Sequence, residues 1–280
     1  MNNGQRVCSQ TETEWGIFMR FRPCIDIHNG RVKQIVGGSL QDAGDLAEDN
    51  FVSEYDGGFY ANLYKRDGLS GGHIIILNRE GTRYYEEDVA QARKALEAFP
   101  GGLQIGGGIH QENAEFFLDL GATHVIVTSY VFRQGRVDYD RLETLSRQIG
   151  REHLVLDLSC RWAGEDYYIV TDRWQKVTAE PMTGDTLEKL SRYCDEFLIH
   201  AVDVEGKASG VEREVVRRLG AYDGLPVTYA GGIHSLEDIR WIGAAGKGHV
   251  DYTVGSALDL FGGEIPYREL CRDVMCSLFS

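Results

Sequence analysis

The tetrapeptide Gly-Gly-Ile-His occurs twice, at Gly107–His110 and at Gly231–His234, once in each half of the chain. Each copy ends an apolar run, Leu103-Gln104-Ile105 and then Val227-Thr228-Tyr229. About one strand and one helix later, each is followed by a second apolar run tipped by a small hydroxyl residue, Ser129 or Ser256. Such a recurrence points to a duplicated half-fold in which each half carries one anion-binding corner. A ligand with a phosphate at each end suits that arrangement.

The spacing of apolar runs sets the architecture. Strands are predicted near Arg22–Ile27, His73–Leu77, Leu103–Gly106, His124–Thr128, Leu154–Leu158, Phe197–Val202, Pro226–Ala230 and Val250–Val254. Helical patterns fall at Tyr85–Ala98, Asn113–Leu120, Asp138–Ile149, Thr186–Tyr193, Arg213–Leu219 and Leu236–Ile242, with a last one at Tyr267–Leu278. Eight strands alternating with helices suit either a (β/α)8 barrel or a doubly wound sheet. The duplication selects the α/β class as a single (β/α)8 TIM barrel with a twofold half-barrel repeat, because a closed ring puts the two glycine/serine pairs on opposite sides of one mouth. A length of 280 residues is compatible with one such domain. Residues 1–18 are expected to be a flexible N-terminal extension and 19–280 the barrel. Met1–Glu14 lacks the apolar centre of a signal peptide.

Two segments interrupt the alternation. Gly37–Asn50 is rich in Gly, Asp and Ser and long for a strand-to-helix loop, which makes it a candidate lid. Cys160–Pro181 reads as a small hairpin, Tyr167–Val170 with Trp174–Val177, over the same face.

Composition narrows the partners. A formal charge of −14 and a pI near 5.0, without a basic stripe, argue against nucleic acid. They do not exclude a phosphorylated ligand, since backbone N–H groups bind anions locally. Six scattered cysteines lack CxxC spacing, so neither zinc nor a redox pair is expected, and a reducing, cytoplasmic compartment is favoured. No stretch approaches the roughly 18 apolar residues of a membrane span.

Residues at C-terminal strand ends of such a barrel face the site. Asp26 in Cys24-Ile25-Asp26-Ile27 and Asp157 in Val155-Leu156-Asp157-Leu158 each interrupt an apolar run, where a carboxylate is costly unless paired or functional. They occupy equivalent strands of the two halves and flank the mouth, as coupled proton transfers require. The competing reading is that each caps a loop or pairs with an arginine such as Arg22 or Arg161. Gly107 and Gly108 with Thr128 and Ser129, and Gly231 and Gly232 with Gly255 and Ser256, are the candidate phosphate corners. His110 and His234 are expected to cap helices or lie on the surface. Trp174 either stacks on a heterocyclic base or packs within its own hairpin, and Asp203 either assists polar chemistry or caps a loop. Cys24 and Cys160 read as small core or loop residues. No metal-ligand spacing, GxSxG elbow or P-loop is present.

From Phe21 to Arg272 the chain resembles the histidine-biosynthetic isomerases that act on phosphoribosylformimino-aminoimidazole carboxamide ribotide (ProFAR), in their fungal and plant version. The stretches that carry the resemblance are Cys24-Ile25-Asp26-Ile27-His28-Asn29-Gly30-Arg31-Val32-Lys33-Gln34-Ile35-Val36-Gly37-Gly38 and Val155-Leu156-Asp157-Leu158-Ser159-Cys160-Arg161. Further along come Phe197-Leu198-Ile199-His200-Ala201-Val202-Asp203-Val204-Glu205-Gly206 and Gly255-Ser256-Ala257-Leu258-Asp259.

The resemblance implies an Amadori rearrangement of an aminoaldose with a phosphate at each end into the aminoketose (PRFAR). Asp157 would be the general acid that opens the ribose ring and Asp26 the general base at C2, with no cofactor or metal. Bacterial members present a threonine and then an acidic residue on strand six. The matching positions here are Ala201 and Val202, with Asp203 one residue later, and in a strand that offset reverses side-chain direction. The expected partner is a small-molecule bisphosphate substrate, with no nucleic acid and no membrane, and the chain is expected to act as a monomer. Two alternatives remain: the cyclase subunit of imidazole glycerol phosphate synthase, and a non-catalytic sugar-phosphate-binding barrel. Ser159-Cys160-Arg161 and the Trp174 hairpin favour the isomerase, and two carboxylates beside a polyanion disfavour a mere binder.

Overall fold

A computed structural model describes residues 19–35, 49–172, 174–204 and 210–271. Eight parallel strands form its centre: β1 (Cys24–His28), β2 (Gly72–Ile76), β3 (Leu103–Gly106), β4 (Val125–Val127), β5 (Leu154–Asp157), β6 (Glu196–His200), β7 (Val227–Ala230) and β8 (Val250–Tyr252). Each pairs with its neighbours in chain order. The ring closes where Arg22 N–H donates to the Tyr252 carbonyl (2.8 Å) and Tyr252 N–H to the Arg20 carbonyl (3.1 Å). The molecule is a (β/α)8 barrel, as the repeat implied.

Around it run α1 (Gly57–Arg66), α2 (Tyr85–Ala98), α3 (Ala114–Asp119), α4 (Tyr139–Ile149), α5 (Gly184–Leu190), α6 (Arg213–Ala221) and α7 (Leu236–Ala245), and backbone 267–271 is again helical. The strands alternate between two apolar environments. In β6, Phe197 and Ile199 are fully buried against the helical layer, whereas Leu198 joins Ile126, Val155 and Ala230 in a separate cluster inside the ring. Below that plug lies a polar layer. Arg22 Nε donates to Asp251 (2.7 Å), its terminal nitrogen donates to Glu196 (3.4 Å), and Gln104 and Thr228 complete Glu196 at 3.1 and 3.0 Å.

The eight predicted strands are all present, displaced by one or two residues at their ends. Further elements, among them two strands, a helix and a third hairpin strand, are additions. Arg31–Ile35 pairs with β1 in a hairpin through Asn29 and Gly30, both at positive φ, and Asp49–Val52 pairs with it in turn. Helix α1 begins at two glycines. The hairpin beyond β5 has three strands, Cys160–Trp162, Tyr167–Thr171 and Lys176–Pro181. Trp174 lies in its turn and not in a strand, because its φ of 66° and the 53° of Asp172 are turn conformations. The proposed extension 1–18, most of the proposed lid (37–48) and the end of the last predicted helix lie outside the described residues.

Candidate active site

Strand parity places the site. Asp26 lies at the middle of β1 and Asp157 ends β5, strands that are four apart in either direction round the ring and so oppose each other. Asp26 Oδ2 accepts a hydrogen bond from Gln34 Nε2 (3.0 Å), which the hairpin strand Arg31–Ile35 brings back over the mouth. The cavity beside it is lined by Cys24, Asp26, Gln34, His73, His200, Thr253 and the second glycine corner.

Asp157 is enclosed by donors. Its Oδ1 accepts from Ser159 N–H (3.0 Å), from Ser159 Oγ (2.8 Å) and from His200 Nδ1 (3.4 Å), and Thr128 also hydrogen-bonds the carboxylate. Burial pushes this carboxyl up. The charge and hydrogen bond of His200, with Ser159 and Thr128, outweigh burial and hold it below the ordinary value. Asp157 therefore stands as a carboxylate against an imidazole. Trp174 extends the chain: its Nε1 donates to Ser159 Oγ (3.0 Å), and its ring lies 6.1 Å from that of His200 at 45°. His73, on β2, is buried beneath this pair, and burial followed by the charge of His200 lowers its pKa to about 3.

The glycine corners differ in their surroundings. Gly231 and Gly232 (φ 118° and 71°) line the cavity beside Asp26 with Gly255 and Ser256. A Cβ at Gly232 would sit 2.2 Å from the Gly210 carbonyl, so only glycine fits that turn. Gly107 is similarly pressed on the Ile76 carbonyl, at 1.9 Å, whereas Gly108 faces open space. Thr128 reaches Asp157 and precedes the short turn Ser129–Val131, and Ser129 Oγ accepts from Asp172 N–H of the hairpin (2.9 Å). The first corner thus joins the hairpin and the second joins Asp26.

The repeated histidines take matching structural roles. His110 N–H donates to Asn113 and its ring meets Glu80 (2.8 Å); His234 N–H donates to Asp238 and its ring meets the same carboxylate (2.7 Å). Both sit at helix entrances, as expected. Asp203 Oδ2 accepts from Trp162 N–H (3.0 Å) and Arg161 stands 3.5 Å from the carboxylate, so these contacts run to the hairpin strand. The position of β6 that reaches the mouth is His200, in phase with Glu196 and Leu198. Sequence reading passed over it, although period-two counting back from the buried acid at 196 would have found it. Cys160 is buried with its thiol pushed up to about 12, which makes it inert.

Comparison with known proteins agrees with this geometry. Residues 20–266 match the model of a family described as histidine biosynthesis protein. A chloroplastic 1-(5-phosphoribosyl)-5-((5-phosphoribosylamino)methylideneamino)imidazole-4-carboxamide isomerase of Medicago truncatula is 49% identical, over 90% of this chain and 80% of its own length. Isomerases of the same name from Neurospora crassa and Saccharomyces cerevisiae are 43% and 41% identical, over 88% and 90% of this chain and 94% and 97% of theirs. The chain belongs to the histidine-biosynthesis protein family.

Proposed function

We propose that this barrel is a ProFAR isomerase, converting an aminoaldose that carries two phosphoribosyl groups into its aminoketose. One observation carries the reading: Asp26 and Asp157 stand on opposite strands of the ring, and the second glycine corner lines the cavity that holds Asp26. The phosphates span the corners and hold the ribose between the acids. Asp157 delivers a proton to the ribose ring oxygen as the C1–O bond breaks, leaving an iminium at C1. Asp26 then takes the proton from C2, and the C2–H electron pair flows into the iminium to give an enolamine. Protonation at C1 and loss of the hydroxyl proton at C2 give the ketose.

The proton on Asp157 needs a source, since the carboxyl is held low. His200 shares it through the 3.4 Å contact, and the negative charge of a bound bisphosphate raises the affinity of the pair for protons. Trp174 covers the acid and offers its ring face to the imidazole of the substrate. Asp203 supports the hairpin strand that carries Arg161 and Trp162.

The chain also fits a monomer in a reducing, cytoplasmic compartment. Cys24, Cys160, Cys194 and Cys271 are not disulfide-bonded, and among the described residues no helix is long and apolar enough to cross a membrane. Sedimentation and imaging of the tagged chain test both points; the Medicago relative carries the word chloroplastic in its name.

The deciding experiment incubates purified protein with the aminoaldose, with and without ammonia. Ketose formation without ammonia is expected. Consumption only of supplied ketose together with ammonia would make the chain a cyclase, and tight binding without conversion would make it a sensor.

A further inference from the structure

Strand pairing brings together three side chains that are far apart in sequence. Cys24 on β1 lies in register with His73 on β2, and Asp26 follows two residues on from Cys24, on the same face of its strand. One sulfur, one carboxylate oxygen and one ring nitrogen fall within 4.8 Å of one another, and all three residues line the catalytic cavity. A fourth polar group borders it: the Thr253 hydroxyl is buried and has no hydrogen-bond partner.

We propose that the floor of this cavity binds a borderline divalent cation, Zn²⁺ being the best fit, through Cys24 Sγ, the Asp26 carboxylate and the His73 ring.

The donor set decides the metal. Mg²⁺ and Ca²⁺ need several oxygens and would find one carboxylate, whereas mixed sulfur, nitrogen and oxygen donors suit Zn²⁺. Around tetrahedral zinc, donors at about 2.0–2.3 Å from the ion stand roughly 3.5 Å apart. Closing the observed spread to that requires movement of the Cys24 and Asp26 side chains against the Gln34 hydrogen bond to Asp26 (3.0 Å). Among the contacts of Cys24 are two weak ones, to the Val254 carbonyl at 3.6 Å and from Gln34 at 3.8 Å. Water completes the coordination and gives the Thr253 hydroxyl its partner. An overall charge of −14 favours the approach of cations.

The consequence is regulatory. A cation on Asp26 occupies the lone pair that removes the C2 proton, so metal occupancy and turnover exclude each other. That consequence rests on the isomerase reading, whereas the binding itself does not.

The test titrates the chelator-treated full chain with Co²⁺ and then displaces it with Zn²⁺. One equivalent and a sulfur-to-cobalt charge-transfer band are expected. Cys24→Ser should abolish the band, and His73→Gln should weaken Zn²⁺ binding by at least about tenfold. Absence of the band, or its persistence in Cys24→Ser, overturns the site. Because a substitution at buried His73 can disturb folding, wild-type protein supplies an independent readout: one equivalent of Zn²⁺ should displace the bound Co²⁺ and quench the band, and a band untouched by Zn²⁺ also overturns the proposal. Inhibition by Zn²⁺, reversed by chelator, should follow. A chain that binds Zn²⁺ yet never converts the aminoaldose in its metal-free form would refute the isomerase reading and leave the metal site standing.

Discussion

Asp157 and Asp26 are the same residue type in equivalent strands, and their neighbours give them different tasks. Around Asp157 stand three donors and an imidazole, whereas Asp26 has an amide from Gln34. Asp26→Asn and Asp157→Asn should each lower kcat by at least about 10²-fold with a modest change in KM, measured under saturating substrate. Wild-type turnover in either variant removes the acid/base assignment. The neighbour of Asp157 yields a sharper test. His200 holds the carboxyl low by charge and by hydrogen bond, so its removal raises the Asp157 pKa. In His200→Gln the limb of the kcat/KM profile that reports the protonated Asp157 should therefore move to higher pH. A loss independent of pH would reduce His200 to a packing residue.

Elements built from local pattern were legible in the sequence, and elements built by return of the chain were not. Helix α2 spans Tyr85–Ala98 in both readings because apolar residues recur on one face over fourteen positions. The helix Gly57–Arg66 was missed because its aromatic residues and paired glycines blur that face, and its cap, Asp56 accepting from Phe59 N–H (3.0 Å), is a single polar residue among several. Cys24 and His73 look unrelated until β1 and β2 pair, which no short spacing reveals.

Helix α2 also carries a lock that only the structure exposes. The buried Asp88 accepts from Gly30 N–H (2.7 Å) and Asn78 N–H (3.4 Å), tying the helix to the turns after β1 and β2. Burial raises its pKa to about 6, so the native state holds a proton that the unfolded chain, near 3.8, has released. Its contribution to stability is full below about pH 4 and lost as pH rises through 6. Asp88→Asn should remove that dependence. The stability difference between wild type and variant should then change by about 1 kcal/mol between pH 5 and 7 in urea unfolding. A constant difference would show that Asp88 keeps its ordinary acidity.

At the scale of the whole molecule, the barrel is closed at one end by charge and worked at the other. Arg22 stands between Asp251 and Glu196 inside the ring and joins β1 to β6 and β8. Arg22→Met leaves Glu196 buried without its cation and Asp251 with Arg20 alone, and should cost about 3–5 kcal/mol in equilibrium unfolding. A cost below about 1 kcal/mol would show that water or Arg20 replaces it. At the other end the twofold repeat makes a claim about length. If one ligand spans both corners, Ser129→Asp and Ser256→Asp should each raise its KM, by about tenfold or more, since each places a carboxylate beside a phosphate. The corners flank opposite sides of the mouth, so the two effects should multiply in the double variant. Ser129→Ala is the control, because it removes the contact with Asp172 without adding charge. An aminoaldose with one phosphate discriminates further: it should respond to one of the two aspartates and ignore the other. Equal sensitivity to both would mean that the corners do not measure the two ends of a single substrate, and the duplication would then explain the fold but not the specificity.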